Sequence, residues 1–303
     1  MSDKRIIVVA GATGAQGGGL ARAILNDPSS EFAVRALTRD PHSEKAQELA
    51  RMGAELAACD IGDEAALAEA YKGAYGAFCV TFFWAHFSPE RELAEATAMA
   101  RAAKSAGLRH VIWSTLEDTR KFVSLEDERM PTLMGKYKVP HFDAKGEADD
   151  VFRGLGVPTT FLLTSFYWDN FIYFGSGPQK GPDGSYAITM PMGDRKLPGI
   201  AAEDIGKCAY GIFKAGEEFI GKTVGISGEH LTGADLPRQR RLRADPHGHR
   251  LPRGLARHRR QAAEGLHHRA QRHAHERRGL DAPVRRDRHT GSHALVFGHV
   301  GVQ

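Results

Sequence analysis

Glycines at positions 11, 14 and 17 are the strongest chemical signal in this 303-residue chain. They follow the apolar run Ile6-Ile7-Val8-Val9-Ala10 and precede Leu20, Ala21, Ile24 and Leu25 at helical spacing. Strand, glycine turn and helix thus stand in the order that a dinucleotide-binding turn needs. In such a turn Gly11 permits the reversal, Gly14 lets the backbone approach a pyrophosphate, and Gly17 lets the helix lie against the strand. Thr13, Ala15 and Gln16 then face the phosphates with the first helical amides. A branched side chain at Gly14 is expected to fill the pyrophosphate space and to obstruct the backbone angles. About twenty residues on, the end of the second strand selects the cofactor, an acid there binding a ribose hydroxyl. Here that place holds Thr38-Arg39. A guanidinium suits a 2′-phosphate, which selects NADP. Asp40 keeps NAD as the lesser alternative, and a solvated Arg39 is the bland one. Asp60-Ile61 and Thr81-Phe82-Phe83 end the next strands on the same edge and complete the expected cofactor contacts.

These residues need strands to carry them to one edge, and the chain supplies strands in alternation with helices. Residues 32–38, 54–59, 75–82, 110–115 and 159–164 read as strands, and 41–52, 64–72 and 203–214 as helices. Ser88-Pro89-Glu90 opens another helix with a capping hydroxyl, a proline in the first turn and an acid at the positive end of the dipole. Its apolar face runs Leu93, Ala96, Ala100, Ala103, and Gly107 ends it. The pattern predicts an α/β, Rossmann-like, doubly wound parallel sheet over residues 1–165. Residues 166–233, with a Gly- and Pro-rich stretch at 175–200, read as a small and incomplete substrate lobe. Phe166 and Phe171 suit the core of that lobe as well as they suit a ligand.

Composition narrows the setting. Cys59, Cys79 and Cys208 stand at unrelated spacings, which suits a reduced, cytoplasmic protein and builds no metal cage. No apolar run reaches membrane-spanning length, and Met1-Ser-Asp-Lys-Arg5 runs straight into a strand, so neither a membrane nor a signal peptide is expected.

Several stretches together resemble the NmrA-like family: Gly11-Ala-Thr-Gly-Ala-Gln-Gly-Gly18, Thr38-Arg39, His141-Phe-Asp-Ala-Lys-Gly-Glu147, Gly156-Val-Pro158, Pro191-Met-Gly-Asp194 and Ala202-Glu-Asp-Ile-Gly206. The resemblance covers roughly residues 4–232. These are atypical short-chain dehydrogenase relatives that include fungal nitrogen-metabolite regulators and animal NADPH-sensing proteins. The parent superfamily uses Tyr-x-x-x-Lys, with tyrosine as proton donor and lysine on the nicotinamide ribose. Here His141 stands at the tyrosine position, Lys145 matches, and Ser114 lies where the superfamily takes its catalytic serine. His141 suits acid–base work near neutral pH and equally a helix cap. The resemblance also implies that Tyr167, Trp168, Asp169 and Asn170 touch the cofactor. It implies an NADP(H)-binding, redox-sensing regulator that acts through a protein partner or as a homodimer. An NADPH-dependent reductase of a quinone or small carbonyl compound is the alternative.

Past Gly233 the composition changes. Residues 234–303 hold sixteen arginines, ten histidines, no lysine and six acids, a balance of +10 against −6 for the rest of the chain. With one aromatic, Phe297, they offer too little apolar surface to offset chain entropy, which predicts a tail without a core. The missing residue types have A/T-rich codons and the abundant ones G/C-rich codons, which suggests a frameshifted reading of a GC-rich gene. Against that stand phosphate contacts from the runs Arg238–Arg243 and Arg257–Arg260, and metal binding by His267, His268, His273 and His275. Without interleaved aromatics, nucleic acid is not the expected partner.

Overall fold

The computed structural model describes residues 4–173 and 175–236. The described residues divide into two compact units, the first running to Trp168 and resuming over Pro198–Glu229, the second comprising Asp169–Leu197 and residues 230–236.

In the first unit, strands β1 (Arg5–Val9), β2 (Phe32–Thr38), β3 (Glu55–Ala58), β4 (Gly76–Cys79), β5 (His110–Thr115) and β6 (Thr159–Leu163) alternate with helices. The helices are α1 (Ala15–Leu25), α2 (Glu44–Arg51), α3 (Glu64–Tyr71), α4 (Pro89–Ser105) and α5 (Pro140–Gly154). β7 (Phe166–Tyr167) follows. The second unit holds the single turn α6 (Asn170–Tyr173) and an antiparallel hairpin of β8 (Gln179–Lys180) and β9 (Tyr186–Ala187). The chain returns through β10 (Leu197–Ile200), whose Gly199 and Ile200 pair in parallel with β7, then α7 (Ala202–Lys214), β11 (Thr223–Gly225) and β12 (Glu229–Leu231).

The central sheet has seven strands in the order β11-β6-β5-β4-β1-β2-β3, and the register is parallel throughout. The order reverses direction at β1, which is the doubly wound arrangement and leaves a crevice at the carboxyl ends of β1 and β4. Ile7, Val8 and Val9 are fully buried because both faces of β1 are covered. One face packs on α3, α4 and α5 through Leu67, Tyr71, Met99, Ala148 and Phe152. The other packs on α1 and α7 through Leu20, Ile24, Ile205, Ala209 and Phe213. Backbones touch where α1 meets α7: a Cβ on Gly206 would sit 2.0 Å from the Leu20 nitrogen, and one on Gly19 2.4 Å from the Glu203 carbonyl.

Strands β2 and β5 fall where the sequence predicts them. β4 stops at Cys79 rather than Phe82 because the chain tightens into a 3-10 turn at Phe83–Ala85. β11 was not expected; three residues beside an edge strand leave no readable period. α7 and β11 lie in the first unit. Among the described residues, no helix is long and apolar enough to cross a membrane. The expectations about the Arg- and His-rich tail lie outside the described residues from Pro237 onward.

Candidate functional site

The glycine turn has the geometry its spacing implies. Gly11 adopts φ +62°, a left-handed conformation that favours glycine, and its carbonyl accepts the Gly14 amide at 2.8 Å. A Cβ on Gly17 would lie 2.5 Å from both the Ala10 and Gly11 carbonyl oxygens, so this glycine lets α1 meet β1. Gly14 is extended (φ −97°, ψ −170°), and a Cβ there would meet the Gly11 carbonyl at 3.2 Å. The expected obstruction of its backbone angles is therefore corrected: any residue adopts them, and what Gly14 preserves is space. Thr13 is half-buried, and Ala15 opens a first helical turn without an acid. Its amides therefore present undiminished positive charge.

At the end of β2, Arg39 is exposed and makes no hydrogen bond or ion pair with any described residue. Asp40 is occupied locally: its amide donates to Thr38 Oγ1 at 3.2 Å, and its carboxylate accepts the His42 amide at 2.9 Å. Asp60 likewise accepts the Gly62 amide at 2.9 Å, beside a half-buried Ile61. The aromatic pair after β4 separates, with Phe82 59% exposed and Phe83 5% exposed.

The stretch His141–Glu147 resolves into distinct tasks. Asp143 is fully buried, and one carboxylate oxygen accepts the Lys138 and Val139 amides at 2.7 and 3.1 Å, capping its own helix. Its other oxygen accepts the Thr119 amide and hydroxyl at 2.8 and 2.6 Å. Gly146 lets the Asp118 segment approach, since a Cβ there would lie 2.6 Å from the Asp118 nitrogen. Glu147 pairs with Arg120 at 2.9 Å. His141 is therefore not the helix cap: α5 begins at Pro140, and Val139 is its N-cap without a side-chain bond. Instead the imidazole packs 4.8 Å from the Trp84 ring and 5.6 Å from Phe83. Burial, helped by the Lys145 charge, pulls its pKa to about 4, so the ring is neutral at physiological pH.

One helical turn further, Lys145 is buried beneath that aromatic group. Its Nζ donates to Thr81 Oγ1 at 2.6 Å and lies 3.0 Å from Glu92 Oε1 and 4.9 Å from the Trp113 ring centroid. Thr81 passes the contact on, donating to Glu92 Oε1 at 2.5 Å. Burial lowers the Lys145 pKa, and Glu92 opposes that fall. Behind Glu92, His86 Nε2 lies 3.5 Å from Glu92 Oε2 and 3.7 Å from Glu95 Oε2. This His–Glu–Glu set has the spacing of metal ligands. Its donor chemistry points elsewhere. His86 Nδ1 accepts the Ser88 amide at 3.0 Å. In the neutral ring Nε2 then carries the hydrogen and presents it to the two carboxylates, rather than a lone pair to a metal.

Ser114 and Tyr167 meet through Gln16. Ser114 Oγ donates to Gln16 Oε1 at 2.7 Å, and Gln16 Nε2 donates to the Tyr167 hydroxyl. The glycine turn, the end of β5 and β7 are thereby tied together. Trp168 follows, its amide donating to the Ile200 carbonyl at 3.0 Å and its ring filling the space beside Gly199. Asp169 and Asn170 belong to the second unit, where the Asp169 carbonyl accepts the Ile172 and Tyr173 amides at 2.9 and 3.0 Å. Sequence reasoning missed Glu92, His86 and the capping by Asp143. Glu92 reads as a helix acid near the dipole, and nothing local marks a lysine 53 positions away as its partner.

A parallel doubly wound sheet with a glycine turn at its switch point defines a Rossmann-type dinucleotide fold. The NmrA-like family matches residues 3–238, and the chain belongs to that family. An NmrA-like family domain-containing protein of Dictyostelium discoideum is 30% identical over 77% of this chain and 74% of its own length. The NmrA-like oxidoreductase malD of Malbranchea aurantiaca is 29% identical over 76% and 70%. Crystal structures of NmrA, a negative transcriptional regulator, in complex with NADP and with NAD each superimpose with a TM-score of 0.64 at 27% identity. Each covers 76% of this chain and 68% of that one.

Proposed function

We propose that this chain is an NADP(H)-binding, redox-sensing regulatory protein that acts through partner binding. Cofactor binding is supported by the glycine turn and by the NmrA complexes with NADP and NAD. Preference for NADP is supported by an exposed, uncommitted Arg39 beside an Asp40 whose carboxylate is already occupied. In the bound form, Gly11–Gly17 would cradle the pyrophosphate, with Arg39 at the 2′-phosphate and Lys145 at the nicotinamide ribose. The cofactor supplies hydride chemistry when bound. His141 is the observation that carries the sensor reading. The group in the acid position is a neutral imidazole packed on aromatic rings, with a pKa of about 4, and it is a poor proton donor to a substrate at neutral pH.

The reductase alternative has its own support. The Ser114–Gln16–Tyr167 chain places hydroxyls beside the glycine turn, and several relatives are named oxidoreductases. The discriminating experiment titrates NADPH and NADH by fluorescence, then follows NADPH oxidation over a panel of quinones and small carbonyl compounds. The sensor reading expects tight NADPH binding and no turnover above background. Turnover that depends on Tyr167 would replace it with the reductase reading.

A further inference from the structure

Lys145 comes to the sheet edge with its charge already answered from within the protein. Glu92, on α4, has a fully buried side chain, and a carboxylate in such a place is costly unless it is paired. Its Oε1 takes both the Lys145 ammonium and the Thr81 hydroxyl, while its Oε2 lies 3.5 Å from His86 Nε2. The charged and titratable groups around the ammonium are Glu92 and Glu95 from α4 and His141 and Asp149 from α5. Among the described residues, Glu92 is the carboxylate within ion-pair distance of it. The ammonium donates to Thr81 Oγ1 at 2.6 Å and to the Thr81 carbonyl at 3.5 Å, and lies 3.0 Å from Glu92 Oε1 as an ion pair.

We infer that Glu92 is a positioning residue for cofactor binding, holding Lys145 beside Thr81 as a buried ammonium that can donate to a ligand hydroxyl. This rests on the proposed place of Lys145 at the cofactor ribose. Exposed lysines need no such partner. In an enclosed site the neutral amine is otherwise favoured, and burial indeed lowers this lysine's pKa while Glu92 raises it.

The test uses the full chain carrying 13Cε-labelled lysine, with the Lys145 resonance assigned by its loss in Lys145→Arg. In cofactor-free Glu92→Gln the titration midpoint should fall by about one pH unit or more, since a buried ion-pair partner is gone. Glu92→Asp, which keeps the carboxylate, should lie between the two. NADPH binding by Glu92→Gln should be about tenfold weaker near pH 9 and little changed near pH 6, because the neutral amine prevails only at the higher pH. Thr81→Val keeps both charges and removes only the bridging hydroxyl, so it should shift the midpoint less; it also serves if Glu92→Gln does not fold. An unchanged midpoint in Glu92→Gln overturns the inference. A lowered midpoint with unchanged NADPH affinity at every pH overturns it too, along with the ribose role of Lys145. Wild-type protein that binds no NADPH overturns the cofactor reading instead, and the midpoint still tests the pair.

Discussion

Arg39 and Asp40 are sequence neighbours of opposite charge, and their surroundings give them different work. The Asp40 carboxylate is spent on the His42 amide, closing a turn, whereas the Arg39 guanidinium is solvated and uncommitted. A ligand phosphate there would gain a charge-assisted contact without breaking one. Arg39→Ala is therefore expected to weaken NADP(H) by about 1–3 kcal/mol while leaving NAD(H) nearly unchanged. Titrating both cofactors against both proteins measures this, and an equal loss for the two would remove Arg39 from the 2′-phosphate. At this scale the sequence displays residue type and position but not side-chain direction. The Thr81 hydroxyl, for one, is engaged with Lys145 and Glu92, which its place at the end of a strand does not reveal. The resemblance points to His141 as the residue in the acid position, but not to the packing of its ring on Phe83 and Trp84, nearly sixty residues earlier.

Elements give two glycines of the same turn different surroundings. Gly17 stands where α1 meets β1 backbone to backbone, while a Cβ on Gly14 would meet only the Gly11 carbonyl, at 3.2 Å, in a conformation open to any residue. Gly17→Val should cost well over the roughly 1–3 kcal/mol of ordinary overpacking, because the obstructing atoms are carbonyl oxygens that cannot turn aside. Gly14→Val should keep the fold and lose NADPH binding. Circular dichroism melts paired with cofactor titrations distinguish them, and a folded Gly14→Val that binds NADPH normally would rule out the turn as the phosphate cradle. The same scale governs a pH effect where β5 pairs with β6. His110 is fully buried, its Nε2 lies 2.9 Å from Thr160 Oγ1, and burial pulls its pKa from 6.5 to about 4. Because the folded pKa is the lower one, its contribution is fully present above pH 6.5 and is lost as pH falls toward 4. Asp149, raised to about 6 by burial, has the opposite sign, but it is common to wild type and variant and cancels in their difference. The stability advantage of wild type over His110→Gln should thus shrink by about 2–3 kcal/mol between neutral pH and pH 4.5, because the unfolded ring takes up a proton in that range and the buried ring largely does not. Urea melts at the two pH values measure it, and a constant difference would contradict a buried neutral ring. Strands such as β2 and β5 were legible because their apolar runs are bounded by turns. β11 was not, because its place depends on β6, some sixty residues away in sequence.

Across the whole molecule, charge is divided more sharply than the fold. Residues 234–303 carry +10 and the preceding residues −6, yet the candidate cofactor residues all fall between Gly11 and Asn170. The NmrA-like match likewise ends at residue 238, where the composition has just changed. If binding resides in those earlier residues, a chain ending at Leu236 should bind NADPH within about twofold of the full chain at physiological ionic strength, where the Debye length of about 8 Å screens distant charge. At about 0.01 M salt the screening length rises to about 30 Å, and the basic residues should then favour binding of the polyanionic cofactor in the full chain alone. The experiment is a fluorescence titration of both proteins over a salt series. Curves that converge as salt rises assign the tail a long-range electrostatic effect and leave the site with residues 11–170. A tenfold or greater loss on truncation that persists at high salt would instead place essential contacts beyond residue 236, and the glycine turn with Arg39 and Lys145 would no longer suffice as the binding site.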